Sequence, residues 1–361
     1  MKYKKTRKFF RDPILFIRDA ILKHRPLIFN EVNVSINNEK IIVEQLNYLE
    51  SKIENFLPVD VVYTWVDDTD PIWQEKKNNV LKDYPRDNLA LYSDDHARFA
   101  NNNELQYSIA SVKKFMPWVR NIFIVTDKQC PKWLENEPNI KIIDHEKIID
   151  NKYLPTFNSH VIEANLYRIP NLSEHFIYFN DDIFVARPLN KSHFFQSNGI
   201  ASLFLSDKSL NIMNSKGMAT PTLNASRRGV ELLKRDYNIS IDTPIVHTYV
   251  PLRRSILEEL SKQYAALIEE FMSNKFRSNE DLNIPTFLAP WVAYVRGLAV
   301  PKIDICYYFN IRSKTATTYW QQLLNSEEAL KPHSFCANDF TTLNDKKIHV
   351  NLDFLLNQYF K

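Results

Sequence analysis

A recurring unit narrows the fold of this chain most. Short runs of β-branched and aromatic residues end in a carboxylate or amide and are followed by helix-periodic stretches. Val59–Val66 (Val-Asp-Val-Val-Tyr-Thr-Trp-Val) stops at Asp67-Asp68-Thr69-Asp70-Pro71, a polar turn. The spacing of Leu105, Ile109, Val112 and Phe115 predicts a helix over 103–115, ending before Pro117. A strand over 121–127 ends in Asp127, and another covers 140–143. Ser159 is placed to cap a helix reaching Ile169 before Pro170, and the strand 176–180 runs into Asn180-Asp181-Asp182. Strands alternating with helices predict an α/β fold with a mostly parallel sheet flanked by helices. Ligands in open α/β sheets bind at the carboxyl ends of the strands, so Asp67, Asp70, Asp127 and Asn180–Asp182 are expected to converge on one cleft.

Glycine excludes several alternatives. The 361 residues include only four glycines, Gly199, Gly217, Gly229 and Gly297, where average usage gives about 25. No GxGxxG, Walker loop or GxSxG can be written from them, which removes the dinucleotide-binding, P-loop and α/β-hydrolase elbow classes. Apolar residues at 44% and charged residues at 25% are those of a globular chain with a core, and a net charge of +3 gives no nucleic-acid footprint. Cys130, Cys306 and Cys336 form no CxxC and suggest neither a disulfide framework nor a zinc knuckle.

The chain divides into a basic amphipathic segment (1–32), an Asn-rich connector with one helical patch (33–57), a catalytic domain (58–340, with a helical insertion over about 206–290) and a tail (341–361). In the first 25 residues, nine Lys and Arg face only Asp12 and Asp19, interleaved with Phe9, Phe10, Ile14, Phe16, Ile17 and Ile21. That pattern suits an anionic membrane surface. No apolar run reaches a membrane span and charges interrupt the N-terminal stretch, so the expected setting is cytoplasmic and peripheral. The spacing of Ile256, Leu257, Leu260, Tyr264, Leu267, Ile268 and Phe271 predicts one long helix over 251–276.

Four groups of residues carry candidate chemistry. Asp181-Asp182 after a strand suits a hard divalent cation holding a diphosphate, although Asn and Asp are also common where a strand turns. His247 precedes the pair Arg253-Arg254 at a helix start, where an anion would offset the cations. Arg277-Ser-Asn-Glu-Asp281 supplies a fork-shaped phosphate ligand beside a carboxylate, or simply a solvated face of mixed charge. Arg98, Asn102 and Glu104 sit at the start of the 103–115 helix, where capping alone would account for the asparagines. Tyr63, Trp65 and Trp73 are available to stack on a base or sugar, but buried aromatics are the commoner case.

Together these segments resemble the Stealth family of hexose-1-phosphate transferases. The likeness rests on four blocks in order. The first is Asp60–Asp67 with Thr69-Asp70-Pro71. The second is Arg98-Phe99, Asn102, Glu104-Leu105, Tyr107-Ser108, 117–126 and Pro131-Lys-Trp-Leu134. The third is 154–159, Glu163, Arg168-Ile169 and 176–182, and the last is Phe335-Cys336 with Asn338-Asp339. His247, Arg277 and Asp281 match elements between the last two, and coverage runs over about 58–340. Asp68 stands where the family commonly has Gly, Asn101 where it often has Asp, and Ala110 where Arg is frequent. An amide cannot act as a base, so Asn101 is given no proton-transfer role.

The resemblance implies a GT-A-like core, a UDP-hexose donor, Mg2+ or Mn2+, and a capsular polysaccharide acceptor. It implies transfer of hexose-1-phosphate, of the N-acetylhexosamine class, to a glycan hydroxyl with release of UMP. A glycosyltransferase that moves the sugar itself and releases UDP would use the same sheet and carboxylates. The implied roles are proton transfer by His247 or Asp181 and phosphate neutralisation by Arg277. Asp182 and Asp281 are the implied metal ligands. Asp67, Asp70, Arg98, Asn102, Glu104, Asn180, Arg253 and Arg254 are assigned to the donor. An anionic inner-leaflet surface and a capsule-export complex are the implied partners, with no nucleic acid.

Overall fold

The computed structural model describes residues 13, 14, 16, 17, 21, 30–85, 99, 101–134, 137–217, 220–313, 315–339 and 352–360. Most of the basic segment 1–25 and Arg98 lie outside them. The central sheet has the order β3-β2-β1-β4-β7. Its strands are β1 (Val59–Thr64), β2 (Ile122–Thr126), β3 (Ile140–Asp144), β4 (His175–Asn180) and β7 (Val250–Arg253). β1 runs parallel to β2 and β4, and β2 parallel to β3; β7 lies antiparallel on the edge of β4. A second sheet orders β5 (Ile183–Val185), β10 (Ser334–Asn338) and β9 (Cys306–Asn310), and β6 (Ala201–Phe204) pairs with β8 (Ala299–Lys302). This is the α/β class with a mostly parallel sheet that the alternating pattern predicts.

The central strands β1, β2 and β4 are buried along almost their whole length, as expected of parallel strands covered on both faces. Asp60, fully buried in β1, is the exception. It accepts from Arg120 Nε (2.9 Å) and Nη2 (2.6 Å) and from the Ser173 amide (2.8 Å), so its charge is paired. Tyr63, Trp65 and Trp73 are core residues too, the last edge-on to Phe157. That packing accounts for them without a stacked ligand.

The helices used below are α1 (Ile36–Glu50), α2 (Pro71–Asp83), α3 (Glu104–Phe115), α4 (Ser159–Glu163), α5 (Pro221–Tyr237), α6 (Arg254–Gln263), α7 (Ala265–Met272), α8 (Ala289–Val295), α9 (Ala316–Asn325) and α10 (Leu352–Phe360). Three segments differ from the sequence reading. The 159–169 helix shortens to α4, capped by Asn158, with a 3-10 turn at Leu166–Arg168; the Ser159 hydroxyl is taken by Arg277 instead of a cap. The 251–276 helix resolves into β7, α6 and α7. Pro251 sits in an edge strand, where its missing N–H costs little, and Tyr264 leaves helical geometry (φ −111°, ψ 27°) between two helices that share the apolar spacing. The connector contains α1, whose Val43 enters the core around β9 and α9, and within the tail α10 buries Leu352, Leu356 and Tyr359 in that same core.

The two sheets meet where β4 turns into β5. Asn180 ends β4 in register with Thr64 of β1, and Asp181-Asp182 make the turn. Cys336 and Asn338 of β10 lie alongside, with the Ala337 amide donating to the Asp182 carbonyl (3.1 Å). The topology therefore brings the carboxyl end of β4 against the far end of β10.

Candidate active site

Asp182 is the centre of this junction. Its Oδ2 accepts from Asn338 Nδ2 (2.9 Å) and from the Cys336 thiol (3.2 Å). Its Oδ1 is buried and has no hydrogen-bond partner, an unusual state for a carboxylate oxygen. Ligand atoms of Asp182, His247 and Cys336 all lie within 4.8 Å of one another, the one such group among the described residues. Burial and the Asp182 charge push the Cys336 thiol well above its ordinary pKa, so it stays protonated and serves as a donor to Asp182. Crowding by protein lowers the proton affinity of His247, against the pull of Asp182.

Two more carboxylates crowd the same spot. Burial raises Asp181 well above the carboxylate range, and the Asp182 and Glu104 charges add to the shift. Glu104, 4% exposed at the start of α3, is pushed up to about 7 by burial, although it accepts from Asn102 N (2.5 Å) and Asn102 Nδ2 (2.7 Å). Three like charges this close are costly without a cation between them. Beneath them, the single Tyr178 hydroxyl proton is shared between Asn180 Oδ1 (2.9 Å) and Glu163 Oε1 (3.2 Å), and Thr64 Oγ1 lies 2.9 Å from the same oxygen, which holds the Asn180 side chain.

The other assigned residues separate into two groups. Arg277 donates to Ser159 Oγ (2.9 Å) and Thr222 Oγ1 (3.3 Å), between α4 and α5. Among the described residues no carboxylate pairs with it. Asp67 and Asp70 build the turn after β1. Asp67 Oδ1 accepts from the Thr69 amide (3.0 Å) and hydroxyl (2.6 Å), and Asp70 caps α2 at the Ile72 amide. Gln129 ties the two together, and its hydrogen bond lowers the Asp70 pKa. Asp68 accepts from the Asn101 amide (3.2 Å) and so tethers this turn to the loop before α3.

Arg253, Arg254 and Asp281 are not brought to Asp182. Arg253 pairs in register with His175, at the opposite end of β4 from Asn180, and is held by Glu174 (3.1 Å) and the Gly199 carbonyl (2.8 Å). Arg254 pairs with Glu258 one turn along α6. The helix they open starts at the amino edge of the sheet, because β7 runs antiparallel to β4. Arg253→Gln is therefore expected to keep kcat and donor KM within about threefold of wild type in steady-state assays. Asp281 is fully buried, and both its oxygens are taken. Oδ2 accepts from Asn158 Nδ2 (2.9 Å), His160 Nδ1 (2.9 Å) and the Ser278 amide (3.0 Å), and Oδ1 from Asn274 Nδ2 (3.1 Å). It organises the loop behind Arg277, and with no surface exposed and every one of these contacts a hydrogen-bond donor it serves that loop as a structural acceptor. Asp281→Asn would turn an NH2 toward this ring of donors, at a cost of about 1–2 kcal/mol. Thermal unfolding of the variant should show the lowered Tm.

Comparison with known sequences decides the family. Three Stealth family models match in order: conserved region 1 over residues 57–85, region 2 over 98–203 and region 3 over 246–294. A capsular polysaccharide phosphotransferase of Aeromonas hydrophila is 52% identical over 358 residues, covering 99% of each chain. One from Haemophilus influenzae is 50% identical over 365 residues, covering 99% of this chain and all of the relative. The chain belongs to the Stealth family. It is an enzyme of the capsular polysaccharide phosphotransferase kind. Among solved structures, it superposes on the galactosyltransferase LgtC with a TM-score of 0.41 at 7% identity (83% of this chain, 93% of that one). For the bifunctional glycosyltransferase WbbM the values are 0.43 and 11% (84% and 50%).

The Stealth regions span Asp67, Glu104, Asp181, Asp182, His247 and Arg277, but not Cys336, Asn338 or Glu31. The geometry adds Cys336 and Asn338 as direct neighbours of Asp182, a pairing no local spacing announces across 154 residues. All three cysteines are free. Among the described residues no helix is long and apolar enough to cross a membrane.

The side chains also bear on a divalent cation. Asp182 Oδ1 is an unshared hard donor, and the imidazole beside it adds a nitrogen that suits a transition ion better than Mg2+. The protonated Cys336 is a poor ligand for either. Asp182 with His247 therefore fits the implied Mg2+ or Mn2+, whereas Asp281 does not.

Proposed function

We propose that this Stealth enzyme transfers hexose-1-phosphate from a UDP-hexose to a hydroxyl of a growing capsular glycan, forming a phosphodiester and releasing UMP. Asp182 and His247 would hold the divalent cation, which when bound supplies positive charge to the donor diphosphate. The donor's negative charge is assigned to Arg277, whose guanidinium no described carboxylate neutralises. With His247 grouped beside Asp182 and Glu104 assigned to the donor, Asp181 is the carboxylate given the acceptor hydroxyl's proton. Asn180, Asn102 and Glu104 line the turn and orient the donor. Attack falls on the β-phosphorus, so the sugar C1–O bond stays whole and the anomeric configuration is kept. Catalysis of this type rests on positioning and charge stabilisation.

The observation that carries the reading is the orphaned Asp182 oxygen beside the carboxyls of Asp181 and Glu104 at the sheet's carboxyl edge, in a chain about half identical to capsular phosphotransferases. A bacterial inner-leaflet location and contact with a capsule-export complex extend the same reading. Exposed Ile14, Ile17 and Ile21, spaced by three and four residues within the basic segment, support the membrane contact.

The test is the nucleotide released from UDP-sugar and primer. UMP is expected; UDP would mean sugar transfer instead. A donor carrying oxygen-18 in its C1–O bridge should pass the label into the glycan, and label found on the nucleotide would overturn the reading.

A further inference from the structure

We propose that Glu31 is a positioning residue for His247, holding the histidine backbone from a turn that precedes the catalytic domain. The inference rests on the reading that His247 stands at the reacting centre.

Glu31 is buried, and its carboxylate is divided between two tasks. Oε2 accepts from the His247 amide at 2.6 Å, and Oε1 pairs with Lys208. Its own carbonyl accepts from the Asp207 amide (3.0 Å) and the Ser206 hydroxyl (3.1 Å), so the glutamate is clamped to the segment carrying Lys208. The His247 carbonyl accepts from the Cys306 thiol (3.4 Å). Tyr308 packs edge-on to the imidazole with ring centroids 5.0 Å apart, and Lys208 lies 5.4 Å over that same tyrosine ring. Glu31, Lys208, Tyr308 and His247 thus close a loop of contacts that fixes both the backbone and the ring of the histidine.

The turn that presents Glu31 is itself braced. Asn30 Oδ1 accepts from the Val34 amide (2.9 Å), and Asn30 Nδ2 donates to Glu39 Oε1 (2.5 Å) at the start of α1. Glu39 Oε2 accepts from Tyr307 of β9 (3.2 Å), next to both Cys306 and Tyr308. The brace and the histidine's other contacts therefore converge on one strand. An error of about 1 Å in a reacting group costs on the order of a hundredfold in rate, so a carboxylate that sets the His247 backbone has leverage without touching substrate.

Reach and charge can be separated in the full-length enzyme. Glu31→Asp keeps the charge for Lys208 but withdraws the oxygen from the His247 amide. Glu31→Gln keeps an oxygen at full reach without the charge. Positioning predicts that Glu31→Asp loses at least about tenfold in kcat, with donor KM within about threefold, while Glu31→Gln stays within about threefold of wild type. In protein labelled with nitrogen-15 histidine, the ring resonance assigned by its loss in His247→Ala should shift or broaden in Glu31→Asp and not in Glu31→Gln. Wild-type kcat in Glu31→Asp, or losses in both variants that track their Tm with an unmoved His247 resonance, would overturn the proposal. His247→Ala separates the two levels. If it is inactive while Glu31→Asp is fully active, only the role of Glu31 falls. If His247→Ala is itself active, the reading of the site falls first.

Discussion

Asp182→Asn is expected to lower kcat by about 1,000-fold or more while Tm moves by no more than a few degrees. The change is isosteric, and the side-chain oxygen that remains can still accept from Asn338 Nδ2. The backbone bond from the Ala337 amide to the Asp182 carbonyl does not depend on the side chain. What is lost is Oδ1, the buried oxygen without a partner. An amide NH2 in its place turns two donors into the space where a cation needs an acceptor, and removes the only unshared negative charge on this residue. Removing one preorganised electrostatic contact to a developing charge costs about 100- to 1,000-fold, and removing a metal ligand adds to that. Steady-state turnover of donor and primer measures the loss, and Mn2+ binding followed by electron paramagnetic resonance should weaken in parallel. A variant that keeps more than a tenth of wild-type kcat would show that Asp182 is an ordinary turn residue.

The sheet could be read from sequence because its strands are buried on both faces and its ladder is local in pattern. Val59–Thr64, Ile122–Thr126 and His175–Asn180 are apolar runs bounded by polar turns, and their carboxyl ends fall where the sequence places them. The Asp181-Asp182 turn was legible for the same reason. Edges and long-range pairings were less so. β7 carries a proline and merges into an apolar spacing that reads as helix, and its antiparallel direction sends Arg253 and Arg254 to the opposite end of β4 from Asn180. Asp281 has the motif position of a ligand, yet it is buried among four donors from Asn158, His160, Asn274 and Ser278, which only the fold can arrange. Cys336 stood in the last block of the resemblance without a role and Glu31 was not singled out, because their partners lie 154 and 216 residues away and neither residue type is diagnostic by itself.

Glu104→Gln should abolish most activity and yet stabilise the metal-free enzyme, increasingly so as pH rises. Burial raises the Glu104 carboxyl from 4.5 to about 7, so the folded state resists ionisation that the unfolded chain undergoes freely. A raised carboxyl contributes its full stability below the unfolded value and loses it as pH climbs through the folded one. The window is therefore about pH 4.5 to 7. A shift of this size corresponds to roughly 3 kcal/mol lost by the wild type across it. Glutamine carries no charge and escapes the penalty, but it must face two Asn102 donors with a single oxygen, which returns about 1 kcal/mol. In EDTA, the Tm difference between variant and wild type should be small or negative at pH 5 and positive by a few degrees at pH 8. Added Mn2+ should shrink the difference at pH 8, because a cation held by Asp182 and His247 beside Glu104 and Asp181 offsets the repulsion that glutamine removes by being neutral. A Tm difference that stays constant from pH 5 to pH 8 would mean that Glu104 ionises as an ordinary carboxylate, and that the three charges at this turn are not held together as described.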